Sequence, residues 1–479
     1  MFDLAQAAVE GALAAGAAYA DARGITSRTQ DITVQNAAIE SSGLLESCGV
    51  GVRALIGSSW GFYAVGEPSA EEARRAGHQA AEIAMASAMV AGRAQVLADV
   101  PVHQDEYRTP FEEDPFSVSL SEKVDLLVGV TQTMMDTPGV ALARGNLQFW
   151  DADKWFVSSQ GHRIFQHMVE SGGGISAMAV GEAETQIRSY PQSFGHYETG
   201  GYEVIRRGDY PGHAGRIAEE AVSLLTADEM EEGETTLILG SDQVALQIHE
   251  SVGHAVELDR ILGWEAAFAG TSHLELANLN QHRYGSALMN ITADATLRGA
   301  LGTFGYDDEG TPAQRVDIVK EGTWVGVLSG RDSASIAGLP PGGMVRGDGY
   351  NRLPMVRMTN VGLLPGDSSL EEMIEGTESG YLMETNRSWS IDDRRLNFQF
   401  GCEIGWEVEN GRLGKMVKNP TYTGITPQFW GSMDMIGNQS EWVLWGLPNC
   451  GKGQPMQVAH TAHPAVPARF RDVRVGVRG

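Results

Sequence analysis

The chain has 479 residues, more than a single hydrophobic core usually accommodates, so two domains are expected. Its 42% hydrophobic and 20% charged residues belong to a folded protein, and a formal net charge of −27 disfavours phosphate backbones and anionic lipid as partners. Three scattered cysteines make no disulfide framework, no run reaches the roughly 20 apolar residues that span a bilayer because Glu82 and Arg93 interrupt the stretch 81–98, and Asp3 and Glu10 stand where a signal peptide would be positive; a cytoplasmic, soluble protein with no nucleic-acid or membrane partner is expected.

The opening residues through Gly24 read as an Ala-rich helix. Segments 31–42 and 47–65 carry β-branched and aromatic residues broken by glycines, as hairpin strands do. Helices are predicted over 68–88, with Ser69 as N-cap, and over 119–137, where Ser119 and Glu122 have capping-box spacing. From Val140 to Tyr202 four short strands, 141–150, 154–160, 162–170 and 175–182, suggest a meander, followed by a helix over 214–227. The acidic segment Ala227–Glu234 reads as a solvated linker, placing the boundary between an N-terminal domain (1–230) and a C-terminal domain (231–479). Beyond it a short strand, 235–240, leads into a helix capped by Ser241. The remainder alternates apolar runs with Gly, Asp and Pro turns, as an antiparallel barrel or sandwich does. The expected class is α+β: helices on an antiparallel sheet, then a mainly β domain carrying one special helix.

That helix contains His249-Glu250-Ser251-Val252-Gly253-His254, an H-E-x-x-x-H segment one residue longer than the H-E-x-x-H of common zinc peptidases. On a regular helix positions five apart are rotated by roughly 140°, so the two imidazoles could not share an ion. A single π-bulge would restore the shared face, and Gly253 makes such a distortion, or a helix end, cheaper. Imidazoles suit Zn²⁺, a catalytic ion keeps one position open, and Glu250 beside it has the chemistry of a general base for the attacking water. The competing reading is two unrelated histidines on a buried helix. For a third ligand the candidate is Cys450 in GLPNCGKGQP, with His460 and His463 as rivals; Cys48 and Cys402 lie in strand-like contexts and read as core.

Together with Tyr306-Asp307-Asp308-Glu309-Gly310, Arg357-Met358-Thr359-Asn360 and Cys450-Gly451-Lys452-Gly453-Gln454-Pro455, the HExxxH segment resembles the TldD branch of the TldD/PmbA peptidases over much of the chain. The resemblance implies zinc held by His249, His254 and Cys450, Glu250 as catalytic carboxylate, and pairing with a related, motif-lacking subunit of the TldE/PmbA type, or a homodimer. It also implies unfolded or linear peptides as substrates, bound as an added strand and either trimmed as leaders or degraded. Asp307, Asp308 and Glu309 cannot all face one ion from an extended segment and are assigned to a structural turn. Arg357 and His460 are candidate oxyanion or substrate-carboxylate donors. Two other classes compete: a non-catalytic partner subunit, which should lack the motif, and a zinc-stabilised structural protein, which should close the fourth coordination position.

Overall fold

The computed structural model describes residues 1–477 apart from 58, 91–95, 183 and 269; Arg93 of the interrupted apolar stretch thus lies outside the described residues. No described helix is long and apolar enough to cross a membrane.

The opening helix α1 (Phe2–Ala14) is shorter than its alanine content suggests, because the chain turns at Gly16 (φ +96°) and Tyr19 already belongs to a strand. That strand, β1 (Tyr19–Gln35), pairs antiparallel with β2 (Ala38–Ile56), which pairs with β3 (Ser59–Gly66). Helix α2 (Ala70–Ala88) begins at the expected cap: the Ser69 hydroxyl accepts the Glu72 N–H while the Glu72 carboxylate accepts the Ser69 N–H, a reciprocal capping box. α1 and α2 pack closely because each offers a glycine at the crossing; a Cβ on Gly11 would lie 2.0 Å from the Arg74 carbonyl oxygen and one on Gly77 1.9 Å from that of Ala8. After β4 (Gln104–Arg108) and α3 (Leu120–Met135), the expected four short strands are instead two long ones, β5 (Val140–Ser158) and β6 (Arg163–Val180). The polar residues taken for turns, Asp151 and Asp153 among them, lie in the register of β1 and β6 and are half-buried there, held by Arg28 and His167. With β7 (Thr185–Tyr190) and β8 (His196–Thr199) these strands form one eight-stranded sheet among the described residues. α3 and α4 (Tyr210–Leu224) cover one end of it and α1 and α2 the other.

The acidic segment 227–234 is not a free linker. Asp228–Glu229 pairs in parallel with the strand Arg412–Lys418, Met230 is buried, and Gly233 already opens β9 (Gly233–Leu239). Burying one apolar residue and joining a sheet edge outweighs the solvation that the charges favour. β9 leads into α5 (Ser241–Ile248), whose N-cap is Gly240; Ser241 is its first helical residue and accepts a hydrogen bond from the Trp445 indole instead of capping.

Five strands of the C-terminal half close on themselves. β10 (Ser379–Ile391) pairs with β9, β9 with β15 (Ala468–Val475), β15 with β12 (Thr421–Ile425), β12 with β11 (Asn397–Glu409), and β11 returns to β10. The barrel is filled by Phe398, Phe400, Tyr422, Phe429 and Phe470, with Phe429 stacked on Phe470 at 4.1 Å. Beside it stands a hairpin, β13 (Val443–Lys452) with β14 (Gln457–Ala465). The architecture is the α+β arrangement expected, and α5 runs from the barrel toward this hairpin.

Candidate metal centre

α5 is fixed by its polar side chains. Gln243 donates to the Tyr422 hydroxyl at 2.9 Å, that hydroxyl donates to Gln247 Oε1 at 2.9 Å, and Gln247 Nε2 donates to the Ser251 hydroxyl at 3.0 Å. The helix then widens into a π-turn over His249–Gly253, with the His254 N–H bonded to the His249 carbonyl at 3.2 Å. Such a turn disturbs the ladder of carbonyls, and here the Tyr284 hydroxyl donates to the Ser251 carbonyl at 2.5 Å. Gly253 serves a second purpose besides easing the distortion: a Cβ there would meet Met358 Sδ at 2.0 Å.

The widened turn brings the two imidazoles onto one side, with ring centroids 4.8 Å apart and planes perpendicular. Cys450 arrives from β13, where a register shift between Leu447 and Cys450 interrupts pairing with β14, and its Sγ lies 3.8 Å from His254 Nε2. Ligand atoms of His249, His254 and Cys450 all fall within 4.8 Å of one another, and all three residues are buried.

Their partners settle which nitrogen of each ring is available. His463 Nδ1 is 2.9 Å from the Val361 carbonyl, which can only accept, so Nδ1 carries the proton. Burial, with His249 beside it, holds the His463 pKa well below the usual imidazole value, so this ring is neutral and its Nε2 accepts. His249 Nδ1, at 2.7 Å, must therefore donate to it, and the lone pair of His249 is left on Nε2. Likewise His254 Nδ1 donates at 3.0 Å to Glu257, which burial raises but Lys452 and His254 hold well below the ordinary carboxylate range. His254 thus also presents Nε2. Burial lowers the pKa of both rings and favours their neutral, ligating forms. Burial raises the Cys450 thiol, but His254 and Arg357 outweigh it and hold the thiol below its usual pKa, toward thiolate.

Two neutral Nε2 donors and a sulfur inclined to ionise fit a borderline-soft dication such as zinc and not magnesium or calcium, which take oxygen. The donors open onto a cleft of about 390 Å³ that Glu250 also lines, among Phe194, Leu246, Trp389 and Leu447. Glu250 is tied at 2.5 Å to Arg395 Nη1.

The remaining candidates lie elsewhere. Arg357 is buried behind the hairpin and donates to the carbonyls of Cys450 and Gln457, so it shapes the strand that delivers the sulfur and does not line the cleft. His460 points to the other half of the molecule, bonded at 2.5 Å to Glu170 and packed edge-on against Trp150. His463, considered above as a rival ligand, backs His249. Cys402 is core, whereas Cys48 is half-buried in a polar groove beside Glu46 and Glu67. The acidic triplet is far from inert filler: Asp308 binds Arg23 at 2.8 Å and Lys154 at 2.7 Å, Glu309 meets Arg53 at 3.3 Å, and Asp307 accepts the N–H groups of Glu309, Thr311 and Val345. It rivets the C-terminal half to β1, β2 and β5. Sequence reasoning missed Glu257, Lys452 and Arg395. Glu257, one helical turn past His254, could have been found by spacing; Arg395, 141 residues beyond His254, gave no local signal.

Comparison with known proteins decides the family. The profile described as PmbA/TldA metallopeptidase C-terminal domain matches residues 232–475, and that of PmbA/TldA metallopeptidase domain 1 matches residues 20–84. The chain belongs to the PmbA/TldD metallopeptidase family. Among its relatives, a protein named metalloprotease from Methanothermobacter thermautotrophicus is 29% identical over 462 residues, covering 96% of this chain and 95% of its own. A zinc metalloprotease TldD homolog from Saccharolobus solfataricus is 27% identical over 51% of this chain and 52% of its own. Two solved structures share the fold of this PmbA/TldD chain: a putative modulator of DNA gyrase from Thermotoga maritima (TM-score 0.76, 17% identity, 99% of both chains) and TldE from Thermococcus kodakarensis (TM-score 0.71, 16% identity, 98% of this chain and 99% of that one).

Proposed function

We propose that this chain is a TldD-type zinc peptidase that hydrolyses unfolded or linear peptides, with His249, His254 and Cys450 as metal ligands and Glu250 as general base. The observation that carries the reading is the convergence of three buried donors whose outer hydrogen bonds leave the lone pairs of both rings on Nε2. When bound, zinc supplies a Lewis acid that polarises a carbonyl and lowers the pKa of water toward about 7. Glu250 takes a proton from the attacking water on a carboxylate oxygen and returns it to the leaving amine nitrogen as the C–N bond breaks. The His463 and Glu257 hydrogen bonds hold the two rings in place throughout, so that neither ligand turns away. The apolar wall of Phe194, Trp389 and Leu447 accepts substrate side chains and thins the water around the site.

The same reading extends to two units, 1–230 and 231–479, to an intracellular setting, and to a partner of the TldE/PmbA type or a second copy of the chain. The TldE fold match supports a partner of that type, and the family model over residues 232–475 supports a separate C-terminal unit. Leader trimming and general peptide degradation are both compatible with this reading.

The test is to purify the chain alone and with a related partner, measure bound zinc, and follow cleavage of unstructured peptides. Glu250→Gln should keep stoichiometric zinc and lose about 10²–10⁴-fold in rate; hydrolysis at the wild-type rate removes Glu250 as the base. Cys450→Ser should lose tight zinc, and full zinc at wild-type affinity places the third ligand elsewhere.

A further inference from the structure

Arg395 is the only lysine or arginine among the described residues that line the cleft. It sits in the turn joining β10 to β11, with a left-handed φ of +61°. The turn is tied down on both sides. Asp392 accepts the N–H groups of Leu396 at 2.8 Å and Asn397 at 3.1 Å, while Thr271 and His273 donate to the carbonyls of Asp393 and Arg394, and the Thr426 hydroxyl donates to that of Arg395. A residue held in a strained conformation by this many bonds is positioned, and what it positions is a guanidinium at the mouth of the metal donors.

The donors of that guanidinium are only partly spent. Nη1 is given to Glu250 Oε2, but Nε is buried without a hydrogen-bond partner. That Nε is closed to an incoming acceptor, so the guanidinium can meet one only through its Nη groups, on a side chain that is 16% exposed and lines the cleft. The present partner of Nη1 is Oε2 of the carboxylate assigned as base, so the two groups share one corner of the cleft.

We propose that Arg395 changes partner during turnover: held by Glu250 in the resting enzyme, it passes to a negatively charged oxygen of the peptide beside the scissile bond and releases the Glu250 carboxylate. This rests on the peptidase reading above. The oxygen has two possible sources with one chemistry, the scissile carbonyl as charge builds on it, or the free C-terminal carboxylate of a short peptide. Arginine suits either, since its parallel N–H groups can hold one or two oxygens without losing charge. The substrate it selects is a peptide that places an apolar side chain against Trp389 and Leu447 and an anionic oxygen at the turn.

The test uses the zinc-loaded full chain, with its partner where activity requires one. Arg395→Ala, Arg395→Gln and Arg395→Lys are compared with wild type on one unstructured peptide prepared as free acid and as C-terminal amide. Arg395→Ala and Arg395→Gln should keep zinc, lose about 10²–10³-fold in kcat/KM, and regain part of it in millimolar guanidinium; Arg395→Lys should fall between. A loss seen equally with acid and amide assigns the carbonyl, and a loss confined to the acid assigns the terminal carboxylate. Binding of N-acetyl-phenylalanine, which carries a product-like carboxylate and an aromatic ring, should weaken at least tenfold in both neutral variants. Neutral variants within threefold of wild type on both peptides overturn the proposal while the peptidase reading stands. A wild type that cleaves nothing yet binds N-acetyl-phenylalanine through Arg395 fails the other way round, sinking the peptidase reading and leaving an anion site.

Discussion

Two buried polar clusters in the C-terminal half are both built of residue types that can bind metals, and their surroundings separate them. In Asp307-Asp308-Glu309 the charges are consumed internally: Asp308 alone takes Arg23, Lys154 and the Gly347 N–H, all within 2.8 Å. In His249, His254 and Cys450 the outward atoms are consumed, by His463, by Glu257 and by the strand, while the inward atoms converge on one another. A saturated cluster holds structure together; one that spends its outer bonds to aim its inner lone pairs is built for a guest. Burial alone does not distinguish them, because both are nearly inaccessible to solvent.

The largest effect should come from unbalancing the saturated cluster. Asp308→Ala would leave Arg23 and Lys154 buried without their shared carboxylate and should cost about 3–5 kcal/mol, the usual penalty for stranding buried charge. His254→Ala in the metal-free protein removes one hydrogen bond to Glu257 but leaves that carboxylate beside Lys452, 3.3 Å away, and should cost less. Thermal melts of both variants in chelator check this; equal losses would erase the distinction between the clusters.

A third cluster lies between these extremes and makes the comparison pH-dependent. Glu384 faces Asp242, Arg188, Glu220 and Arg216, and burial followed by the charge of Asp242 pushes it up to about 7 from 4.5. The fold therefore prefers it protonated, while the unfolded chain has already lost the proton, so stability present below pH 4.5 is lost as pH rises through about 7. Glu384→Gln imitates the protonated form. It should flatten the fall in Tm between pH 5 and 8 by the equivalent of about 1–3 kcal/mol. Parallel melting curves for variant and wild type over that range would show that Glu384 ionises normally.

The difference between clusters also marks what was legible in the sequence. The π-turn was readable because helical geometry forbids two imidazoles five positions apart from meeting, and the structure contains the one distortion that lets them. The long strands β5 and β6 were not, because Asp151 and Asp153 look like turn residues until Arg28 and His167 are placed beside them. Arg395 was invisible for the same reason: its meaning comes from Glu250, 145 residues away, and only closure of the barrel brings the β10–β11 turn to α5. Local chemistry reads from spacing; polar pairs made by topology do not.

The smallest effect should be at the ring supports. Glu257→Gln keeps an oxygen that can still accept from His254 Nδ1 but removes the negative charge that makes His254 a stronger donor to a metal. Lys452 would not be stranded, because both oxygens of Asp259 lie within 2.9 Å of its Nζ and the Val356 carbonyl accepts from it as well. The fold should therefore survive nearly unchanged, and the loss should appear in zinc affinity, about 10–100-fold weaker in competition with a chelator. This separates the two kinds of cluster at a single residue, since Glu257 faces the buried charges of Lys452 and Arg260 on one side and the His254 ring on the other. A variant that melts early but binds zinc as wild type does would place Glu257 with the rivets.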